Sequence, residues 1–176
     1  MAISDLTAVV PPPAAEQQSQ AVDWDAVEQA IGVRLPDDYK DVVALYGDGC
    51  FGDFIHLYQP DSPNPDHDLA HRQRIDLEAL RSIQEDFPED VPYRLSEPAE
   101  LLPAGLTDNG DVIYWHLHDP NNPDGWTLAI SDSRDPEWST FTGGITQFLA
   151  EVLTGRTRIS VFPKKFPHRG ATFERY

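Results

Sequence analysis

The chain has 176 residues, 40% of them hydrophobic, which suits one globular domain with a tail rather than two domains. Its 13 Lys and Arg face 30 Asp and Glu, giving a net charge of −17 and a sequence pI near 4.4; that balance repels a phosphate backbone and excludes general nucleic-acid binding. The single cysteine, Cys50, excludes an internal disulfide and any cysteine-rich zinc module.

Residues 1–20 have no basic n-region and carry Asp5 inside the first apolar stretch, so they do not read as a secretory signal. No window approaches the roughly 18 consecutive apolar residues of a membrane span, and the expected compartment is the cytoplasm. Pro11-Pro12-Pro13 followed by Ala, Gln and Ser predicts a disordered leader over 1–20. Order is expected from Ala21. Asp23 is a candidate N-cap for a helix whose Trp24, Val27 and Ile31 share one face, ended by Gly32. A second helix opens at Leu35-Pro36, where Asp37 and Asp38 suit the positive end of the dipole, and Gly47 stops it. Its apolar stripe is Tyr39, Val42, Val43 and Tyr46.

Beyond Gly52 the pattern changes. Phe54 to Tyr58 suits a short strand, and Pro60, Pro63 and Pro65 force a loop. Residues 66–86 are helical in character, with Leu77, Leu80, Ile83 and Phe87 near helical spacing. The second half reads as sheet. Asn109-Gly110 predicts a hairpin turn with both residues at positive φ, followed by a strand from Val112 that places Ile113, Trp115 and Leu117 on one face and Tyr114, His116 and His118 on the other. Further strands are predicted at 126–130 and 138–141, then a helix carrying Ile145, Phe148, Leu149 and Val152 and stopped at Gly155. Ile159 to Phe162 suits an edge strand. The sum is an α+β fold with one domain over 21–163.

Charge is unevenly distributed. Residues 1–155 carry 29 acidic and seven basic side chains, a net −22, whereas 156–176 carry six basic and one acidic, a net +5. The basic tail over 164–176 is expected to lie on its own acidic domain, since Pro163 and Pro167 argue against a basic helix that binds nucleic acid or membrane.

No pattern assembles a catalytic constellation. Gly47 to Gly52 matches G-x-G-x-x-G, but a helix precedes it and a strand follows, the reverse of a dinucleotide site, and Asp48 and Asp53 would repel phosphate. His67 and His71 fall at i and i+4, a spacing zinc can use, yet Asp68 stands where a metalloprotease needs Glu. His116 and His118 on one side of a strand, with Asp119 at its end, form the other metal candidate; a metal-dependent enzyme built on them is the least favoured reading. Ser131 and Ser133 lack a nucleophile setting, and acidic neighbours would raise the Cys50 thiol pKa. Neither metal nor cofactor is expected.

Trp24 to Glu28, Ile31-Gly32, Leu35 to Lys40 and Leu45 to Gly47 resemble the opening of the SUKH superfamily in its Smi-Knr branch. Leu101 to Pro103, Gly105 to Asp111, Trp115 and the stretch from Pro136 to Gly144 are also similar, so the resemblance runs from about Ala21 to Pro163. It implies an α+β domain with a central, mainly antiparallel sheet and helices packed on one side. It also implies a non-catalytic protein-binding role. Bacterial members are mostly immunity proteins that silence a cognate toxin domain, and fungal relatives are interaction hubs in cell-wall regulation. The expectation is therefore an immunity protein that occludes a toxin, with a regulatory adaptor as the alternative. The acidic body suits a basic, nuclease-like toxin domain, because it raises encounter rates and rejects like-charged partners. Acidic loop residues beside aromatics are the expected contacts: Asp48, Phe51 and Asp53 after the second helix, and Asp119, Asp124 and Trp126 at the sheet end.

Overall fold

A computed structural model describes residues 3–14, 21–168 and 170–176. In chain order the elements are α1 (Ile3–Val9), α2 (Trp24–Ile31), α3 (Asp37–Tyr46), β1 (Gly49–Phe51), β2 (Ile55–Leu57), α4 (Leu69–Asp86), β3 (Leu101–Thr107), β4 (Val112–His116), β5 (Thr127–Ser131), β6 (Trp138–Phe141), α5 (Ile145–Leu153) and β7 (Phe173–Arg175). The strands form one sheet in the order β6-β5-β4-β3-β2-β1-β7, every neighbouring pair antiparallel. The fold is α+β in a single domain.

The helices start where capping chemistry allows. The Asp23 carboxylate accepts from Ala26 N at 3.2 Å, and Asp68 accepts from His71 N at 2.8 Å to begin α4. Gly32 ends α2 at φ 85°, a left-handed conformation that costs glycine nothing. The β3–β4 connection is a hairpin, but only Gly110 has positive φ (88°). Gly110 N bonds Thr107 O and Thr107 N bonds Asp111 O, both at 2.9 Å, so the loop has three residues with glycine in the left-handed place instead of the two-residue turn expected from Asn109-Gly110.

Alternation along the strands divides the core. Leu57, Ile113, Trp115, Leu128 and Ile130 face the larger cluster, to which α1, α3 and α5 contribute Leu6, Tyr39, Val43, Phe148 and Leu149. Tyr39 sits edge-on to Trp115 at 5.0 Å and to Trp24 of α2 at 5.8 Å. Leu101, Tyr114 and Ala129 point the other way, and Leu80 of α4 covers them. The expected one-sided helical layer is thus four helices on one face, with α4 added on the other among the described residues.

Both chain ends enter the fold. Residues expected in the leader form α1, where Leu6 is buried; Val10, just after it, is also buried and its carbonyl accepts from Tyr46 Oη at 2.6 Å. A seven-residue helix gives too short a window for its period to be read beside a proline run; residues 15–20 of that leader lie outside the described part. The end of the basic tail becomes β7, pairing with β1 in the register Gly49↔Arg175 and Phe51↔Phe173. The predicted edge strand at Ile159 to Phe162 is instead a turn closed by Phe162 N to Ile159 O at 3.1 Å, its apolar side chains buried as core.

Candidate partner-binding surface

The six residues expected to contact a partner do not form one surface. Phe51 and Trp126 are 1% and 2% exposed and belong to the core. Strand alternation turns Phe51 inward against Tyr46 and Phe173, and Trp126 uses its Nε1 to donate to Asp119 O at 2.7 Å. Asp48 accepts from Ser62 Oγ at 2.7 Å and pairs with His67 Nδ1 at 3.0 Å. Asp124 accepts from Asp37 N at 2.7 Å, and Asp119 accepts from Asn121 N at 2.9 Å. Asp53 lies in the β1–β2 turn, beside the β3–β4 hairpin through Asp108 N to Phe54 O at 3.0 Å. Asp119 and Asp124 lie in the connection between the far ends of β4 and β5, so the two groups stand at opposite ends of the sheet.

The histidines are structural in arrangement. The His116 and His118 rings lie 4.0 Å apart, and His118 Nε2 bonds Thr127 Oγ1 at 2.7 Å. Burial, then the neighbouring His118, lowers the His116 pKa. Among the described residues no group of three or more His, Cys, Asp and Glu is placed to hold a metal ion.

His56, which sequence reading passed over, is the centre of a cluster. Asp108 Oδ1 stands 2.7 Å from its Nε2 and Tyr176 Oη 3.0 Å from its Nδ1, and the rings of His67 and Tyr176 stack beside it. A carboxylate accepts, so Nε2 is the ring nitrogen that donates to Asp108. Cys50 Sγ lies 3.7 Å from that same Nε2. A nucleophile relay needs the carboxylate on the opposite ring nitrogen, and burial, aided by the Asp108 charge, pushes the Cys50 thiol up to about 11. The cluster ties the C-terminal strand to β2. No local pattern announces it, since Tyr176 and His56 are 120 positions apart.

An open cleft with an apolar lining lies on the α4 face. Helix α4 covers β3 and β4, and beyond it β5, β6 and the β5–β6 turn leave a cleft of about 390 Å³. Leu80, Ile83, Val112, Tyr114 and Trp138 form its apolar lining, and Asp90, Asp132, Asp135 and Glu137 stand around it with Arg134. Its walls are pinned. Trp138 Nε1 donates to Asp90 O at 2.9 Å, and Gln84 Nε2 donates to Val91 O and Tyr93 O at 3.1 and 2.8 Å. Buried Asp111 accepts from Thr107 Oγ1 at 2.8 Å and Ser133 N at 3.1 Å, joining the β5–β6 turn to the β3–β4 hairpin. Asp132 pairs with Arg134 at 3.7 Å, whereas Asp90, Asp135 and Glu137 make no ion pair among the described residues. The apolar stripe of α4 runs past the covered part of the sheet, which leaves Ile83 46% and Phe87 56% exposed. Periodicity placed both on the buried face, because it reports which side of a helix is apolar and not where the opposing layer stops.

A family model described as SMI1-KNR4 cell-wall matches residues 22–149. The chain belongs to the SUKH superfamily. The match covers α2 through the middle of α5, leaving α1 and β7 outside it. Neither the curated proteins nor the solved structures contain a match to this SUKH chain. None of its described helices is long and apolar enough to cross a membrane.

Proposed function

We propose that this SUKH protein is a non-catalytic binding domain of the immunity type, which neutralises a cognate toxin by covering its active site. Membership of the superfamily is consistent with a toxin-immunity or regulatory protein-binding domain. The observation that carries the reading is the charge of the body, −22 over residues 1–155, with carboxylates unpaired beside an exposed apolar cleft. Such a surface attracts a basic partner at long range and offers apolar area for it to bury. Capture from lysate of its own source at low salt, with mass spectrometry, tests this. A single near-stoichiometric partner with a basic toxin domain, inhibited on binding and released at high salt, is the expected result. Recovery of the chain alone, or binding that leaves the partner active, rejects it.

A regulatory adaptor is the second reading. Exposed Lys164 and Lys165 form a basic patch on an acidic molecule, which toxin occlusion does not require. Replacing both by Glu without loss of partner binding speaks for immunity; loss of binding speaks for the adaptor.

A further inference from the structure

We propose that the cleft between α4 and strands β4–β6 is the docking site for a cationic segment of a partner protein that carries one apolar anchor side chain. This rests on the protein-binding reading and assigns it a place and a chemistry. At about 390 Å³ the cleft takes a single large side chain with its flanking backbone, not a globular surface. Half-exposed Ile83 forms one lip, and the Trp138 ring, held at 4.9 Å from Tyr93 and 5.7 Å from Tyr114, forms the other. An aliphatic anchor between them removes apolar area from water on both sides.

The charge around the cleft selects what flanks that anchor. Arg134 also lines the cleft, 3.7 Å from Asp132, while Asp90, Asp135 and Glu137 make no ion pair among the described residues, so carboxylates outnumber the cation there. Helix α4 adds to the field in a way that works against its own stability. Its last turn carries Glu85 and Asp86 and no basic residue, so two negative charges sit at the negative end of the helix dipole. A local rule broken on the surface is expected where the surface has a use. Lysines or arginines on either side of the anchor would meet these carboxylates. The walls are fixed by the Asp111, Gln84 and Trp138 hydrogen bonds, so little ordering is left to be done on binding.

The test is an NMR titration of the full chain with a synthetic peptide, one leucine flanked on each side by two arginines, at about 50 mM salt. Shifts concentrated in residues 79–91 and 131–138 are expected. Replacing the leucine by glycine should weaken binding about fivefold or more. The double variant Asp135→Asn/Glu137→Gln should weaken it about three- to tenfold. Asp25→Asn/Asp41→Asn, an equal loss of charge on exposed positions of α2 and α3, should change it less than about twofold. Shifts elsewhere, no binding, equal loss in both double variants, or indifference to the leucine overturns the assignment. So does sedimentation as a dimer that excludes the peptide, which would make the occupant a second copy. A captured basic protein whose affinity ignores Asp135→Asn/Glu137→Gln removes the cleft and leaves the protein-binding reading standing. Peptide binding at the cleft with no protein partner captured supports the docking chemistry and removes the immunity reading.

Discussion

The Asp124 carboxylate accepts a hydrogen bond from Asp37 N at 2.7 Å, so the loop between β4 and β5 caps helix α3 from 87 positions away. The residue at the cap position itself is Pro36, whose side chain makes no capping bond. An acidic loop residue that reads as a partner contact is spent on holding α3 against the sheet.

Asp124→Ala therefore lowers stability by about 1 kcal/mol, the usual loss of an N-cap acceptor, and Asp124→Asn by less. Urea unfolding of the three proteins checks this. An unchanged midpoint for the alanine variant would mean that the loop is not holding the helix.

Asp38 performs the same service for α5. Its carboxylate accepts from Thr146 N at 3.1 Å and Thr146 Oγ1 at 3.2 Å, where the α5 cap residue is Gly144 without a side chain. Burial nonetheless raises the Asp38 pKa above the ordinary carboxylate value, outweighing those hydrogen bonds. With the folded pKa above the unfolded one, the folded state holds the extra proton in that window, and stability from this group falls as pH rises from about 4 through the folded pKa. Wild type measured relative to Asp38→Asn should thus lose ground as pH rises from about 4. A difference that is flat or rises with pH contradicts the argument.

Gly49 of β1 pairs with Arg175 of β7. A Cβ at this position would overlap the Glu174 carbonyl and the Phe173 ring. Gly49→Ala should displace the C-terminal strand, cost about 1–3 kcal/mol as an overpacking change, and abolish hydrogen-exchange protection at Tyr176 N, which donates to Asp48 O at 3.1 Å. Retained protection would show that the strand moves with its partner.

Cys50 should be slow to alkylate. A thiol pushed up to about 11 is ionised to about one part in a thousand at pH 8, against about a quarter for a free thiol. Iodoacetamide should react at least about 100-fold more slowly with the native chain than with the chain in denaturant. Comparable rates would place a base beside the thiol after all.

Helices α2, α3, α4 and α5 were legible because their stripes and caps are local: Asp23 and Gly32 bracket α2, and Gly47 follows α3. The sheet class was equally legible from the alternation of Val112 to His116. The binding surface was not. Alternation in a three-residue strand is too brief to show that Phe51 faces inward, and nothing near Trp126 announces that its indole closes on Asp119.

Composition and periodicity on their own established an acidic α+β domain and the order of its principal elements. Long-range pairing established the rest: that the chain ends supply α1 and β7, that α4 lies on the face opposite the other helices, and that its stripe overruns the sheet to open a cleft. Propensity, capping and alternation act over a few residues and are written into neighbouring positions. Strand pairing and helix docking join residues up to 120 positions apart, as Tyr176 and His56 are, and which of many possible pairs forms depends on how the whole core is filled.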